Sequence, residues 1–182
     1  MNISTHDSVI GTIHSLNTES VPELNTEVVD ADPAEAPLSV MIFACPQCRD
    51  TTHEVCDAKS GQVSANVQTR VVDVPCSGRV DTLQLMHAFE SGADAVMVAG
   101  CQPGECFFNT GNLHVTQRVK RIADWLDGCG LERDRVHMMN LTPGDHDSLE
   151  NALKGLSEKT GVCGPSPLRR TGVTPAPAST SG

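Results

Sequence analysis

The chain has no tyrosine, one tryptophan and four phenylalanines, so aromatics make up only 3% of its 182 residues. A surface that stacks on nucleic-acid bases is therefore not expected. Positive charge is also scarce, with 13 Lys and Arg against 23 Asp and Glu for a net charge of −10, whereas gripping a phosphate backbone needs clustered cations. No apolar run approaches the ~20 residues of a membrane-spanning helix. The first residues lack the basic-then-apolar pattern of a secretory signal. The expectation is a cytoplasmic protein that binds no nucleic acid and spans no membrane. What the chain has in abundance is cysteine, eight in all. Thiols stay reduced in the cytosol, so a disulfide framework is not the natural reading. Metal binding or redox work is.

The charge is unevenly spread. Residues 1–37 carry Asp7, Glu19, Glu23, Glu27, Asp30, Asp32 and Glu35 with no Lys or Arg. They sustain no apolar periodicity, so burial cannot offset the entropy of ordering them. This segment reads as a disordered acidic leader, or as an arm that orders on a partner. Without it, sixteen acids face thirteen bases, and the remainder is nearly balanced. A domain is expected over 38–163, followed by a second disordered tail, rich in Pro, Ser and Thr, over 164–182.

Within the domain, four short apolar runs stand out: Ser39–Ala44, Arg70–Pro75, Ala95–Gly100 and, more weakly, Arg135–Leu141. Short runs without alternation suggest strands covered on both faces, as in parallel sheets. Helical signals separate them. Asp81 with Gln84 resembles a capping box ahead of Leu85, Met86 and Phe89. Val115, Val119, Ile122 and Leu126 recur at helical spacing, with Arg118, Lys120 and Arg121 on other faces. Asp145 can cap a helix bearing Leu149, Leu153 and Leu156. Strand alternating with helix predicts a small open α/β domain with a mostly parallel sheet of about four strands, flavodoxin-like in outline.

The cysteines fall where such a fold binds ligands. Cys45 and Cys48 follow the first predicted strand, Cys76 the second, and Cys101 and Cys106 the third. In an open parallel sheet the carboxyl ends form one edge, with a crevice outside it. Five thiols far apart in sequence should therefore gather. Such a set suits an iron–sulfur cluster or a zinc site, and CxxC alone could serve as a redox dithiol. Gly78, Gly104, Pro75 and Pro103 suit turns that aim backbone N–H groups at sulfur. Cys56 falls on the first helix or in the loop before it and is ambiguous. Cys129 and Cys163 read as small hydrophobes, and Met41, Met97, Met138 and Met139 as core.

The stretch from Pro75 to Asn112 resembles the delta subunit of methyl-viologen-reducing hydrogenase, a hydrogenase iron–sulfur subunit family. The matching positions are Cys76, Gly78 to Asp81, Ala88 to Phe89, Gly92 to Asp94, Gly100 to Cys101, Pro103 to Gly104, Cys106 and Gly111 to Asn112. Cys45 and Cys48 match the family's CxxC, and the likeness spans about residues 38–160. The chain departs from the family at Gln102 and Phe107, where histidines are often found, and over Arg49–Cys56, but no cysteine is lost. The resemblance implies one [2Fe–2S] cluster held by four of Cys45, Cys48, Cys76, Cys101 and Cys106. It also implies electron relay between a donor oxidoreductase, such as a hydrogenase or formate dehydrogenase, and a heterodisulfide-reductase-type flavin subunit. In that setting Arg79 compensates cluster charge, or pairs with Asp81 or a partner.

Other readings remain open from the residues alone. Zinc accepts the same thiolates in an assembly module, and Cys45 with Cys48 could form a dithiol redox pair. A flavin site lacks a GxGxxG or P-loop pattern and any tyrosine for stacking. The seven histidines show no triad spacing for a hydrolase.

Overall fold

The computed structural model describes residues 37–58 and 67–169. The expected leader and the expected C-terminal tail fall mostly outside these residues. Four strands, β1 (Leu38–Ala44), β2 (Val67–Asp73), β3 (Ala95–Gly100) and β4 (Val136–Asn140), alternate with four helices, α1 (Pro46–Ala58), α2 (Thr82–Glu90), α3 (Gly111–Gly128) and α4 (His146–Cys163). The strands form one parallel sheet in the order β2-β1-β3-β4. This is the doubly wound arrangement expected from the alternation.

Burial follows the strand order. Every residue of β3 is buried, since strands flank it on both sides and helices cover both faces. β2 and β4 lie at the edges and are mostly half-buried, which is why their apolar signal is weaker. On one face Val40, Ile42, Ala95 and Met97 pack with Val55 of α1 and Leu149, Leu153 and Leu156 of α4. On the other, Phe43, Val96 and Val98 pack with Leu85 and Phe89 of α2 and with Val115, Val119, Ile122 and Leu126 of α3.

The helix starts are fixed locally. Asp81 accepts from the Gln84 amide at 2.8 Å, and the Gln84 side chain accepts from the Asp81 amide at 3.0 Å. That reciprocal box satisfies two otherwise orphaned donors. It also commits the Asp81 carboxylate to the helix, while Arg79 is exposed. Asp145 caps α4 by accepting from Ser148 N at 3.2 Å.

The amino edge of the sheet is tied by Asp94, which is fully buried. Its carboxylate accepts from Ser39 N at 2.8 Å, Ser166 N at 2.7 Å and Arg169 Nη1 at 3.1 Å. Arg169 also reaches Pro37 O, and the buried Arg135 donates to the Asp94 and Gly164 carbonyls. The segment from Gly164 to Arg169 thus packs against the domain, although its Pro- and Ser-rich composition carries no such signal.

Candidate metal centre

The register aligns the carboxyl ends of all four strands. Ala44 stands opposite Asp73 and Ala99, and Gly100 opposite Asn140. The ladder runs slightly further, with Cys45 N donating to Ala99 O, Val74 N to Ala44 O and Leu141 N to Gly100 O. The chain leaves β1 for β2 on one side and arrives at β3 on the other. The crevice between β1 and β3 is therefore the topological switch point, where ligands bind in such sheets.

The five expected thiols meet there, all buried. Cys45 and Cys48 sit at the start of α1, where Pro46 is the first helical residue, a position in which its missing N–H costs nothing. Their sulfurs are 3.6 Å apart. Cys45 interacts with Cys101, Cys101 with Cys106, and Cys106 with Cys76. A cleft of about 340 Å³ opens between them, lined by Cys45, Cys76, Cys101 and Cys106 with Pro46, Pro75, Phe107 and Phe108 as apolar walls. Cys48 lies behind this wall, fully buried, with its sulfur 3.7 Å from Leu141 O. Among the described residues, no three His, Cys, Asp or Glu side chains close around a point suited to a single ion.

Electrostatics divides the thiols. The hydrogen bond with Cys48 pulls the Cys45 thiol down to about 5, assisted against burial by the Gln47 and Cys48 amides. The same contact with Cys45, together with burial, pushes Cys48 up. Burial raises Cys76, only partly offset by the Gly78 amide, and raises Cys101 to about 12, reinforced by Cys45. At Cys106 burial pushes the thiol up, but the Asn112 and Phe108 amides, with Cys101 and Gly111, more than reverse it. Those amides belong to the loop before α3 and to its first turn. α1 and α3 both begin at the cleft, so the positive ends of two helices face the sulfurs.

Two glycines shape the floor. A Cβ on Gly111 would lie 2.6 Å from Cys76 Sγ and 3.2 Å from Cys106 Sγ. A Cβ on Gly78 would lie 2.5 Å from the Gly111 Cα. Only chains without side chains can cross this closely, so the Cys76 turn and the head of α3 converge because both positions are glycine. The donor set consists of soft, buried thiols with N–H groups directed at sulfur, in a cradle that a methyl group would fill. It fits an iron–sulfur centre.

Several polar residues complete the site without an obvious sequence signal. Asn112, almost fully buried, donates to the Cys101 and Gln102 carbonyls, each at 2.9 Å. Asn140 donates to Cys101 O at 2.7 Å. Arg118 donates to Gly78 O at 2.7 Å and Val80 O at 2.8 Å, tying the Cys76 turn to α3. The hydroxyl of Ser77 is buried without a hydrogen-bond partner among the described residues. Asn112 falls in a recognisable Gly-Asn pair, but Asn140 and Arg118 look like ordinary strand and helix residues.

The remaining cysteines lie elsewhere. Cys56 is two turns further along α1, buried in the core, where burial raises its thiol to about 11 despite a hydrogen bond with Thr69. It does not reach the cleft. Cys129 is exposed at the end of α3, and Cys163 ends α4 half-buried.

Residues 40–162 match the family model described as methyl-viologen-reducing hydrogenase, delta subunit. The chain is 34% identical to the iron–sulfur subunit of the vhu F420-non-reducing hydrogenase of Methanococcus voltae, over 72% of this chain and 96% of the relative. It is 33% identical to the protein of the same name from Methanocaldococcus jannaschii, over 71% and 96%. It is also 24% identical, over 69% of its length, to a segment of the ferredoxin/F420H2-dependent CoB–CoM heterodisulfide reductase of Methanosarcina acetivorans, where the match covers 16% of one of that enzyme's polypeptides.

Proposed function

The chain belongs to the methyl-viologen-reducing hydrogenase delta-subunit family, and from that membership we propose that it is an electron-transfer subunit carrying one [2Fe–2S] cluster. The observation that carries this reading is the convergence of thiols from three separate strand-end loops on one cleft at the switch point. Four of Cys45, Cys48, Cys76, Cys101 and Cys106 supply the thiolates. When bound, the cluster supplies a one-electron couple. The protein's part is to hold and tune it. The Gly78, Gly111 and Asn112 amides direct N–H dipoles at the sulfurs, the α1 and α3 termini favour negative charge, and the buried walls limit water.

A single couple has no substrate of its own and requires donor and acceptor cofactors nearby. A hydrogenase, formate dehydrogenase or similar enzyme would donate, and a heterodisulfide-reductase-type flavin and iron–sulfur subunit would accept. Support comes from the relatives named as hydrogenase iron–sulfur subunits, and from the occurrence of a related segment inside a heterodisulfide reductase polypeptide. None of the described helices is long and apolar enough to cross a membrane, and we place the protein in the cytoplasm.

A zinc-stabilised assembly module is the alternative. Its four ligands would surround one ion, whereas the relatives at 34% and 33% identity are named as iron–sulfur subunits, which favours the cluster. Anaerobic purification with iron, sulfide and zinc determination and EPR distinguishes the two. About two irons and two sulfides per chain, with an EPR signal on reduction, are expected. Zinc without sulfide would overturn the proposal.

A further inference from the structure

The loop between β3 and α3 presents two phenylalanines where turns usually carry polar residues. Asn109 N donates to Cys106 O at 2.8 Å, which makes Phe107 and Phe108 the central residues of a tight turn. Such positions favour Gly, Pro, Asn, Asp and Ser. Phe107 is 82% exposed and Phe108 58%. Their rings meet edge to face at 5.2 Å and line the mouth of the thiol cleft. Asn109 takes the left-handed backbone, with φ of 60°, that closes the turn. The rings are thus held outward on a fixed loop, which lowers the entropic cost of docking.

Four of the seven large apolar side chains exposed among the described residues belong to this edge: Phe107, Phe108, Leu83 in the first turn of α2 and Leu113 in the first turn of α3. No charged side chain lines the cleft. Arg79, on the Cys76 turn, is exposed, and the nearby Asp81 carboxylate is taken by the Gln84 amide. The patch is apolar with a cation at its border. A concentration of this kind marks an interaction surface.

Resting on the electron-transfer reading above, we propose that Phe107 and Phe108 anchor the acceptor subunit, which meets the rings with an apolar pocket and Arg79 with a carboxylate. A centre set behind these rings exchanges electrons only with a cofactor brought to the cleft mouth. An apolar face suits a lasting contact, as in obligate complexes. In Methanosarcina acetivorans a related segment shares one polypeptide with the rest of a heterodisulfide reductase subunit, so of the two electron partners the acceptor fits this face. The acidic leader of this chain fits it less well. Residues 1–36 hold no aromatic side chain, and they precede Pro37 at the opposite edge of the sheet.

Full-length, anaerobically purified protein is titrated by calorimetry with the heterodisulfide-reductase-type flavin subunit from the same cells. The parent is expected to bind one to one. F107S/F108S is expected to raise the Kd about tenfold or more per iron-loaded chain. L83S/L113S is expected to raise it severalfold while keeping the parent's iron and sulfide, and R79Q to flatten the salt dependence of binding. V162S, exposed at the end of α4, is the control that changes nothing. An unchanged Kd in F107S/F108S overturns the proposal, as does an equal loss in V162S. So does tighter binding once residues 1–36 are deleted, which makes the leader the occupant, or a parent dimer that F107S/F108S dissolves. Parent protein that holds iron and sulfide yet does not bind the subunit overturns it too, with the cluster reading intact. Absence of iron and sulfide from the parent sinks the cluster reading instead, so the two failures are distinct.

Discussion

Gly111 places the tightest demand on any single residue of the site. A methyl group there would lie 2.6 Å from Cys76 Sγ, inside any real contact distance. G111A is therefore expected to displace Cys76 or the first turn of α3 and to lower bound iron severalfold, as read by iron per chain against a retained circular dichroism spectrum. Asn112 acts through hydrogen bonds. N112A removes donors from two carbonyls, although Asn140 still serves one of them. A loss of about 1–2 kcal/mol is expected in urea unfolding. At this scale the chain was readable where chemistry is unusual. Five cysteines at strand ends announce a site, but the position of Cys56 depends on which face of α1 meets the sheet, and its spacing from Cys48 could not settle that. Arg118 was invisible for a related reason. A cation on an amphipathic helix reads as solvated until the Gly78 turn is seen beneath it.

At the level of elements, two polar contacts hold α1 to the start of α4. Glu54 Oε2 meets His146 Nε2 at 2.6 Å, and Thr51 Oγ1 accepts from Gly144 N at 2.8 Å. The Glu54 hydrogen bond raises the His146 imidazole above its ordinary 6.5. A raised folded value means that the stabilisation is complete below about 6.5 and fades as pH rises through the folded value. NMR titration should give a His146 midpoint above 6.5 that returns toward it in E54Q. The stability gap between parent and E54Q should be wider at pH 6 than at pH 8. The elements themselves were legible in proportion to their burial. β3, apolar throughout and central, matches its expected bounds, Ala95–Gly100. The edge strand β2 begins at Val67, three residues before the apolar run, because Gln68 and Thr69 pair with β1 without being buried deeply. Capping by Asp81 and Asp145 was foreseeable because it needs only residues three apart.

Across the whole molecule, stability and chemistry occupy opposite edges of one sheet. Asp94 ties the amino edge, and its partner Arg169 lies beyond the last helix. D94A would leave two amides unpaired and a nearly buried guanidinium without its counter-charge, although Pro37 O still accepts from it, a cost of about 3–5 kcal/mol. The melting temperature should fall sharply, while iron per folded chain changes little, because the thiols sit at the other end of the strands. Residues 164–169 illustrate what composition hides. Their anchoring rests on partners far away in sequence, the Asp94 carboxylate, the Arg135 guanidinium and the Pro37 carbonyl, and not on any pattern of their own.

The parallel order also sets the sequence of assembly. β1 lies between β2 and β3, so the first cysteine loop meets its counterparts only once the third strand has slotted in beside it. The last of these thiols, Cys106, precedes α3, β4 and α4, so the donors are all in the chain before the elements that complete the domain. Loss of metal and loss of helix should then share one denaturation midpoint, since the donors stay together only while β1, β2 and β3 remain paired.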